Sequence, residues 1–190
     1  MLLERGARRF SQAISEGDGI SLIVDVADVD AARAAAAQGA EAVIVRAAVP
    51  GLRDAIELPI VWRGGSRPSD ASAAGADAWI VAVADGDDDG ALLVAEHAEA
   101  VELGLDCVVE VRDEEQLELA LERLDPEILL FSAGGDDDAD ALQLALELLP
   151  DIPAGKLAVA DVPVTGREQV DELERAGVDA VIVGDTVPAA

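Results

Sequence analysis

Three segments of this chain share one pattern, and that pattern limits the fold more than any other feature. They are Ala37-Gln38-Gly39-Ala40-Glu41-Ala42-Val43-Ile44-Val45, Ala73-Ala74-Gly75-Ala76-Asp77-Ala78-Trp79-Ile80-Val81 and Arg175-Ala176-Gly177-Val178-Asp179-Ala180-Val181-Ile182-Val183. Each reads as a helix closed by a glycine, one acidic residue in a tight turn, and a strand apolar on both faces. Strands of that kind belong in a parallel sheet covered by helices. Short β-branched runs predict eight strands, near Ile20–Val26, Ala42–Ala47, Ile60–Arg63, Ala78–Ala84, Cys107–Arg112, Ile128–Ala133, Leu157–Asp161 and Val181–Gly184. Helical spacing occupies Asp30–Gln38, Ala91–Leu103, Glu114–Leu124, Ala139–Leu149 and Arg167–Arg175.

The repeats precede strands two, four and eight. Repetition ahead of even-numbered strands fits a closed (β/α)8 TIM barrel, where alternate strands supply equivalent interior layers. An open doubly wound sheet would carry a glycine-rich fingerprint after its first strand, and Val26-Ala27-Asp28-Val29-Asp30 has none. The expectation is one compact α/β barrel domain over residues 1–190, with short loops and the last outer helix missing or vestigial. A helix over Leu2–Ile14 precedes strand one; it either covers the position that the missing helix leaves open or makes an oligomer contact.

Charge narrows the habitat. The 40 acidic residues are 23 Asp and 17 Glu, against 12 Arg and the single Lys156, for a net charge of -27. Self-repulsion of this size is relieved when salt shortens the Debye length to about 3 Å at 1 M. The balance points to a KCl-rich, halophilic cytoplasm, and thermal unfolding should move steeply upward between dilute buffer and about 2 M KCl. So acidic a surface repels nucleic acid and anionic lipid. No apolar run approaches the roughly 18 residues of a membrane span. The N-terminus has no apolar segment of secretory length, and Cys107 has no second cysteine to pair with. The remaining partners are a small-molecule ligand and a second copy of the chain.

In a (β/α)8 barrel the working residues lie at the C-terminal strand ends. Here those positions are Asp25, Arg46, Arg63, Asp85, Glu110 with Arg112, Ser132, Asp161, Gly184, and Asp185 with Thr186. Glu110 is the sharpest signal, a carboxylate inside the apolar strand Cys107-Val108-Val109-Glu110-Val111, where burial would raise its pKa towards the acid/base range. An ion pair with Arg63 or a neighbouring arginine is the structural alternative. Arg63 could bind a carboxylate or phosphate bidentately, or form a salt bridge to Glu110 or Asp161. The acidic loops Asp85–Gly90 and Gly134–Asp140 lack calcium-loop spacing and read as solvated surface or helix caps. His97 falls on an outer helix, so neither a zinc pattern nor a Ser/His/Asp or Cys/His triad is present. The residues call for no metal or cofactor.

The stretches Pro59-Ile60-Val61-Trp62-Arg63, Ala74-Gly75-Ala76-Asp77-Ala78, Val108 through Leu121, and Val159-Ala160-Asp161 through Gly184 resemble the indole-3-glycerol-phosphate synthase family. That family is a (β/α)8 barrel that closes and decarboxylates a carboxyphenylamino-deoxyribulose phosphate, using a lysine general acid, glutamates and a phosphate cradle. The resemblance gives Glu110 the role of the strand-five glutamate and makes Glu110, Arg63 and Asp161 the catalytic candidates. Asp25, Ser132, Gly184 and Asp185 become the substrate-binding candidates. Much of the family's apparatus is replaced. Arg63 stands in place of the general-acid lysine, and with a pKa above about 12 it donates protons poorly. Ser132 replaces an asparagine and Gly134 an arginine, while Asp161 stands for the strand-seven glutamate with Val162-Pro163 in place of Ser-Gly. Asp185 follows Gly184 where a small or hydroxyl residue contacts phosphate, and Val24-Asp25-Val26 replaces Glu-x-Lys. The resemblance thus implies a barrel with a rewritten site that takes a small non-phosphate metabolite, or else a non-catalytic barrel kept for assembly.

Overall fold

The computed structural model describes residues 8–17, 19–64, 67–84, 86–87, 89–132, 138–164 and 166–184. Eight parallel strands close into a barrel in chain order. They are β1 (Ser21–Asp25), β2 (Ala42–Val45), β3 (Ile60–Trp62), β4 (Ala78–Ala82), β5 (Asp106–Val111), β6 (Ile128–Ser132), β7 (Leu157–Asp161) and β8 (Ala180–Val183). The ring closes where β1 pairs with β8, Ser21 opposite Ala180 and Ile23 opposite Ile182. Helix α1 (Arg9–Ser15) precedes β1. The connections carry α2 (Val29–Ala37), α3 (Leu52–Ala55), α4 (Pro68–Ala73), α5 (Ala91–Glu102), α6 (Glu114–Arg123), α7 (Asp138–Leu148) and α8 (Arg167–Ala176). None of the described helices is long and apolar enough to cross a membrane. Residues 185–190, where a helix after β8 would fall, lie outside the described residues.

The repeat has a definite mechanical meaning. Gly39, Gly75 and Gly177 have φ of 90°, 80° and 100°, a left-handed conformation that favours glycine. The next amide reaches back to close each helix, Ala40 to Ala35, Ala76 to Ala71 and Val178 to Leu173, at 3.1, 3.0 and 3.0 Å. The acidic residue then accepts a backbone N–H from the strand before it. Leu22 of β1 donates to Glu41 at 2.8 Å, Ile60 of β3 to Asp77 at 2.8 Å, and Ala158 of β7 to Asp179 at 2.7 Å. Each repeat therefore clasps an even strand to its odd predecessor.

Alternation of side chains along the strands divides the interior from the helix layer. Ile23, Ile44, Val61, Ile80, Val108, Leu130, Val159 and Ile182, one per strand, pack together inside the barrel. The opposite faces, including Trp62 and Trp79 at paired positions of β3 and β4, pack under the helices. α3 and α4 are short, and two indoles supply bulk on the strands beside them.

The N-terminal helix corrects the sequence reading. It runs over Arg9–Ser15 within the described residues, and it does not cover a gap in the outer ring. Phe10 and Ile14, one turn apart, enter the interior cluster beside Ala42, Ala78 and Ala180. Those alanines are the inward residues of the three repeats, and their small side chains leave the space that α1 fills at the barrel floor. Asp106, at the start of β5, accepts the N–H groups of Phe10 at 2.9 Å and Ser11 at 3.0 Å, capping α1 from across the chain. Burial raises the Asp106 pKa, although these hydrogen bonds pull the other way.

Candidate functional site

Strand periodicity carries the interior face upward from the apolar layer to polar residues at the C-terminal mouth. Val61 faces inward, so Arg63 two positions on shares its face; Val108 and Glu110, Leu130 and Ser132, and Val159 and Asp161 are related in the same way. Gly64 fixes how the chain leaves β3. A Cβ there would lie 2.7 Å from Trp62 Nε1 and 2.9 Å from the Arg46 carbonyl, so only glycine passes without displacing one of them.

Arg63 lies between two carboxylates. Its Nη2 donates to Glu110 Oε1 at 3.1 Å, and its Nη1 donates to Asp161 Oδ2. The Ser132 hydroxyl donates to the same Glu110 oxygen at 2.6 Å, and Arg112 Nη2 approaches it at 3.5 Å. The Glu110 side chain is 7% exposed, Arg63 17% and Asp161 30%. Asp25 forms a separate pair with Arg46, 2.8 Å away at Nη2. Gly184 is exposed at the end of β8. Asp85, Asp185 and Thr186 lie outside the described residues.

The sequence reading of Glu110 is corrected in one respect. Burial alone would raise its pKa, but the hydrogen bond from Ser132 and the positive charges of Arg63 and Arg112 outweigh it and hold the carboxyl below its ordinary value of 4.5. Glu110 is therefore an ionised partner in an ion-pair network. It is not a carboxylic acid kept protonated near neutrality. A depressed folded-state pKa stabilises the fold above the unfolded value, and that contribution disappears as pH falls through the folded value. Stability measured by denaturant titration in high KCl should therefore decline below about pH 4.5, and Glu110→Gln should flatten part of that decline. An unchanged acid profile in the variant would contradict the assignment.

The structure brings the catalytic candidates Glu110, Arg63 and Asp161 together, and the substrate-binding candidate Ser132 meets them as well. The structure turns the Ser132 hydroxyl onto Glu110. Sequence reasoning missed Gln116, whose side-chain oxygen accepts the Arg112 backbone N–H at 3.0 Å and ties the β5 exit to α6. A glutamine at the third position of a helix that Asp113 caps was the available signal. In the loop before α5, Asp87 and Asp89 cap the helix, accepting from Leu92, Leu93 and Ala91. Among the described residues no group of three or more His, Cys, Asp and Glu side chains could hold a metal ion. His97 sits part-buried on α5, and burial lowers its pKa. Cys107 faces the helix layer, its thiol pushed up to about 12 by burial and by the nearby Glu96 and Asp106.

A closed parallel barrel with its polar cluster gathered at the C-terminal mouth defines a (β/α)8 barrel protein. Residues 68–190 match the family described as indole-3-glycerol phosphate synthase, and the chain belongs to that family. It is similar to the indole-3-glycerol phosphate synthase of Variovorax paradoxus (strain S110), 37% identical over 113 residues, covering 60% of this chain and 42% of the relative. It is similar too to the indole-3-glycerol phosphate synthase of Acidithiobacillus ferrooxidans (strain ATCC 53993 / BNL-5-31), 35% identical over 116 residues, or 61% and 43% of the two chains. The match spans less than half the length of these relatives.

Proposed function

We propose that the barrel mouth binds a small polar metabolite, neutral or cationic and without a phosphate ester, and that the ring-closing activity of the family is lost. One observation carries this reading: the three arginines that directly follow a described strand each already face a carboxylate of the chain, Arg46 facing Asp25, Arg63 facing Glu110 and Asp161, and Arg112 facing Glu110. A phosphate would have to displace one of those partners, and Arg63, the most buried of the three, would leave a carboxylate unpaired in doing so. Asp25 and Asp161, each about 30% exposed, offer acceptors to hydroxyl or ammonium groups instead. The acidic surface is read as adaptation to a KCl-rich cytoplasm.

The test is a thermal-shift titration in about 2 M KCl with inorganic phosphate, a sugar phosphate, a neutral polyol and a small organic amine. Polyol or amine should raise the melting temperature in proportion to ln(1 + [L]/Kd), and Asp161→Asn should abolish the rise. Stabilisation by the phosphate compounds alone would refute the reading.

A further inference from the structure

Alternation gives each strand one residue in the mouth layer, two positions beyond its interior apolar residue. On β1, β2 and β3 these are Asp25, Arg46 and Arg63, and on β5, β6 and β7 they are Glu110, Ser132 and Asp161. The two strands that separate these groups, β4 and β8, contribute Ala82 and Gly184. A Cβ built on Gly184 would meet nothing within 4 Å, and Ala82, opposite Glu110 in the β4–β5 ladder, adds a single methyl group. Because β4 and β8 lie on opposite sides of the ring, the described residues leave a groove floored by small side chains across the mouth. One bank carries two guanidinium groups and a carboxylate; the other carries two carboxylates and a hydroxyl.

One side chain bridges the banks. Arg63 leaves β3, and its Nη1 donates to Asp161 of β7, the strand directly opposite in the closed ring. Its Nη2 reaches Glu110 of β5 at 3.1 Å, so the guanidinium lies across the barrel axis. The other charges have partners of their own. Asp25 and Arg46 pair within one bank, and Glu110 holds Ser132 at 2.6 Å and Arg112 at 3.5 Å without help from Arg63. Among the described residues Arg63 is the one cation within ion-pair distance of Asp161.

We infer that the metabolite is a zwitterion of the amino-acid kind, its carboxylate on Arg63 and its ammonium on Asp161, an inference that rests on the mouth taking a small polar ligand without a phosphate ester. Charge balance selects this class. A bare amine on Asp161 leaves the Arg63 guanidinium with only Glu110, which Arg112 already shares, and a bare carboxylate on Arg63 leaves Asp161 unpaired; stranding a charge at a partly buried site is costly. A ligand with both signs exchanges the bridge for two ion pairs and strands nothing. The guanidinium fork accepts a carboxylate in bidentate fashion. On the other bank the Ser132 oxygen, whose proton is committed to Glu110, keeps lone pairs for an ammonium N–H, and Ser132 lies opposite Asp161 in the β6–β7 ladder. A zwitterion also carries no net charge for a surface of -27 to repel. With no ligand in the groove, the Arg63–Asp161 bridge holds the banks together.

The test is isothermal titration calorimetry in about 2 M KCl, with glycine, β-alanine and γ-aminobutyrate as probes and n-butylamine and butyrate as single-charge controls. At least one of the amino acids should bind, about tenfold or more tighter than either control, the worth of one further charge-assisted hydrogen bond. Asp161→Asn should bring its affinity down to that of butyrate, and Arg63→Gln down to that of n-butylamine. Gly184→Leu fills the groove and alters no charge, so it should abolish binding while the melting temperature stays unchanged. An amine that binds as tightly as the amino acids would overturn the zwitterion and leave the proposed function standing, whereas binding of inorganic phosphate alone would overturn both. Failure of all three amino acids to bind, or binding that Gly184→Leu leaves intact, would overturn the zwitterion site as well.

Discussion

Supplied with the family's carboxyphenylamino-deoxyribulose phosphate in about 2 M KCl, the chain is expected to release no detectable indole product. Ring closure in the family needs a proton from a lysine general acid, and on the proposed reading Arg63 stands in the position of that lysine. Burial alone would lower the Arg63 pKa, but its bond to Asp161 and the charge of Glu110 raise it instead, so the guanidinium holds its proton still more firmly. Loss of a general acid costs about 10²–10⁴-fold. On the proposed reading, Pro163 and Asp185 stand where the resemblance puts the family's phosphate cradle, and would remove binding energy as well. Indole fluorescence is the assay, with Arg63→Lys as comparison. That variant restores a proton donor without restoring a phosphate site, so it too should stay below detection. Robust turnover by the unsubstituted chain would show that the mouth performs the family chemistry with arginine.

Removing the Arg63 side chain should destabilise the barrel by about 3 kcal/mol, at the lower end of what breaking one side of a buried ion pair costs. The lower end applies because Ser132 and Arg112 remain on Glu110, and because Asp161 is exposed enough to be solvated. The measurement is denaturant unfolding of Arg63→Ala at neutral pH in high KCl. Adding Glu110→Gln should return part of the loss, since the buried charge is then gone. If Arg63→Ala were neutral, the network would be a surface feature and the mouth more hydrated than its burial indicates.

The fold was largely legible because its signals are local. The glycine-closed helix ends and the strands buried on both sides placed all eight strands to within about two residues, the range over which element ends ordinarily vary. The strands stop short where Arg46, Arg63 and Arg112 leave the ladder for the mouth. What could not be read was what depends on several distant residues at once. The carboxylate Glu110 was visible, but its pKa direction was not, since that is set by the balance of burial against Ser132 and two arginines. α1 was visible as a helix. Its seat on the floor depends on the alanines of three repeats and on Asp106, which lies 96 positions from Phe10.

The acidic clasps also bear on how the ring is assembled. They join residues 19, 17 and 21 positions apart, so each closes a short loop at small entropic cost. The seam between β1 and β8 joins the ends of the chain and can form only once the whole strand series is in place. Local contacts of this kind form early and distant ones late. The barrel is thus built of two-strand cassettes, β1–β2, β3–β4 and β7–β8, each able to associate before the circle exists. The β5–β6 cassette has no repeat of its own, and its first strand instead holds the N-terminal plug through Asp106. Pulsed hydrogen exchange during refolding should find the Ile60 and Ala158 amides protected before that of Ser21, whose partner is Asp179 on the far side of the seam.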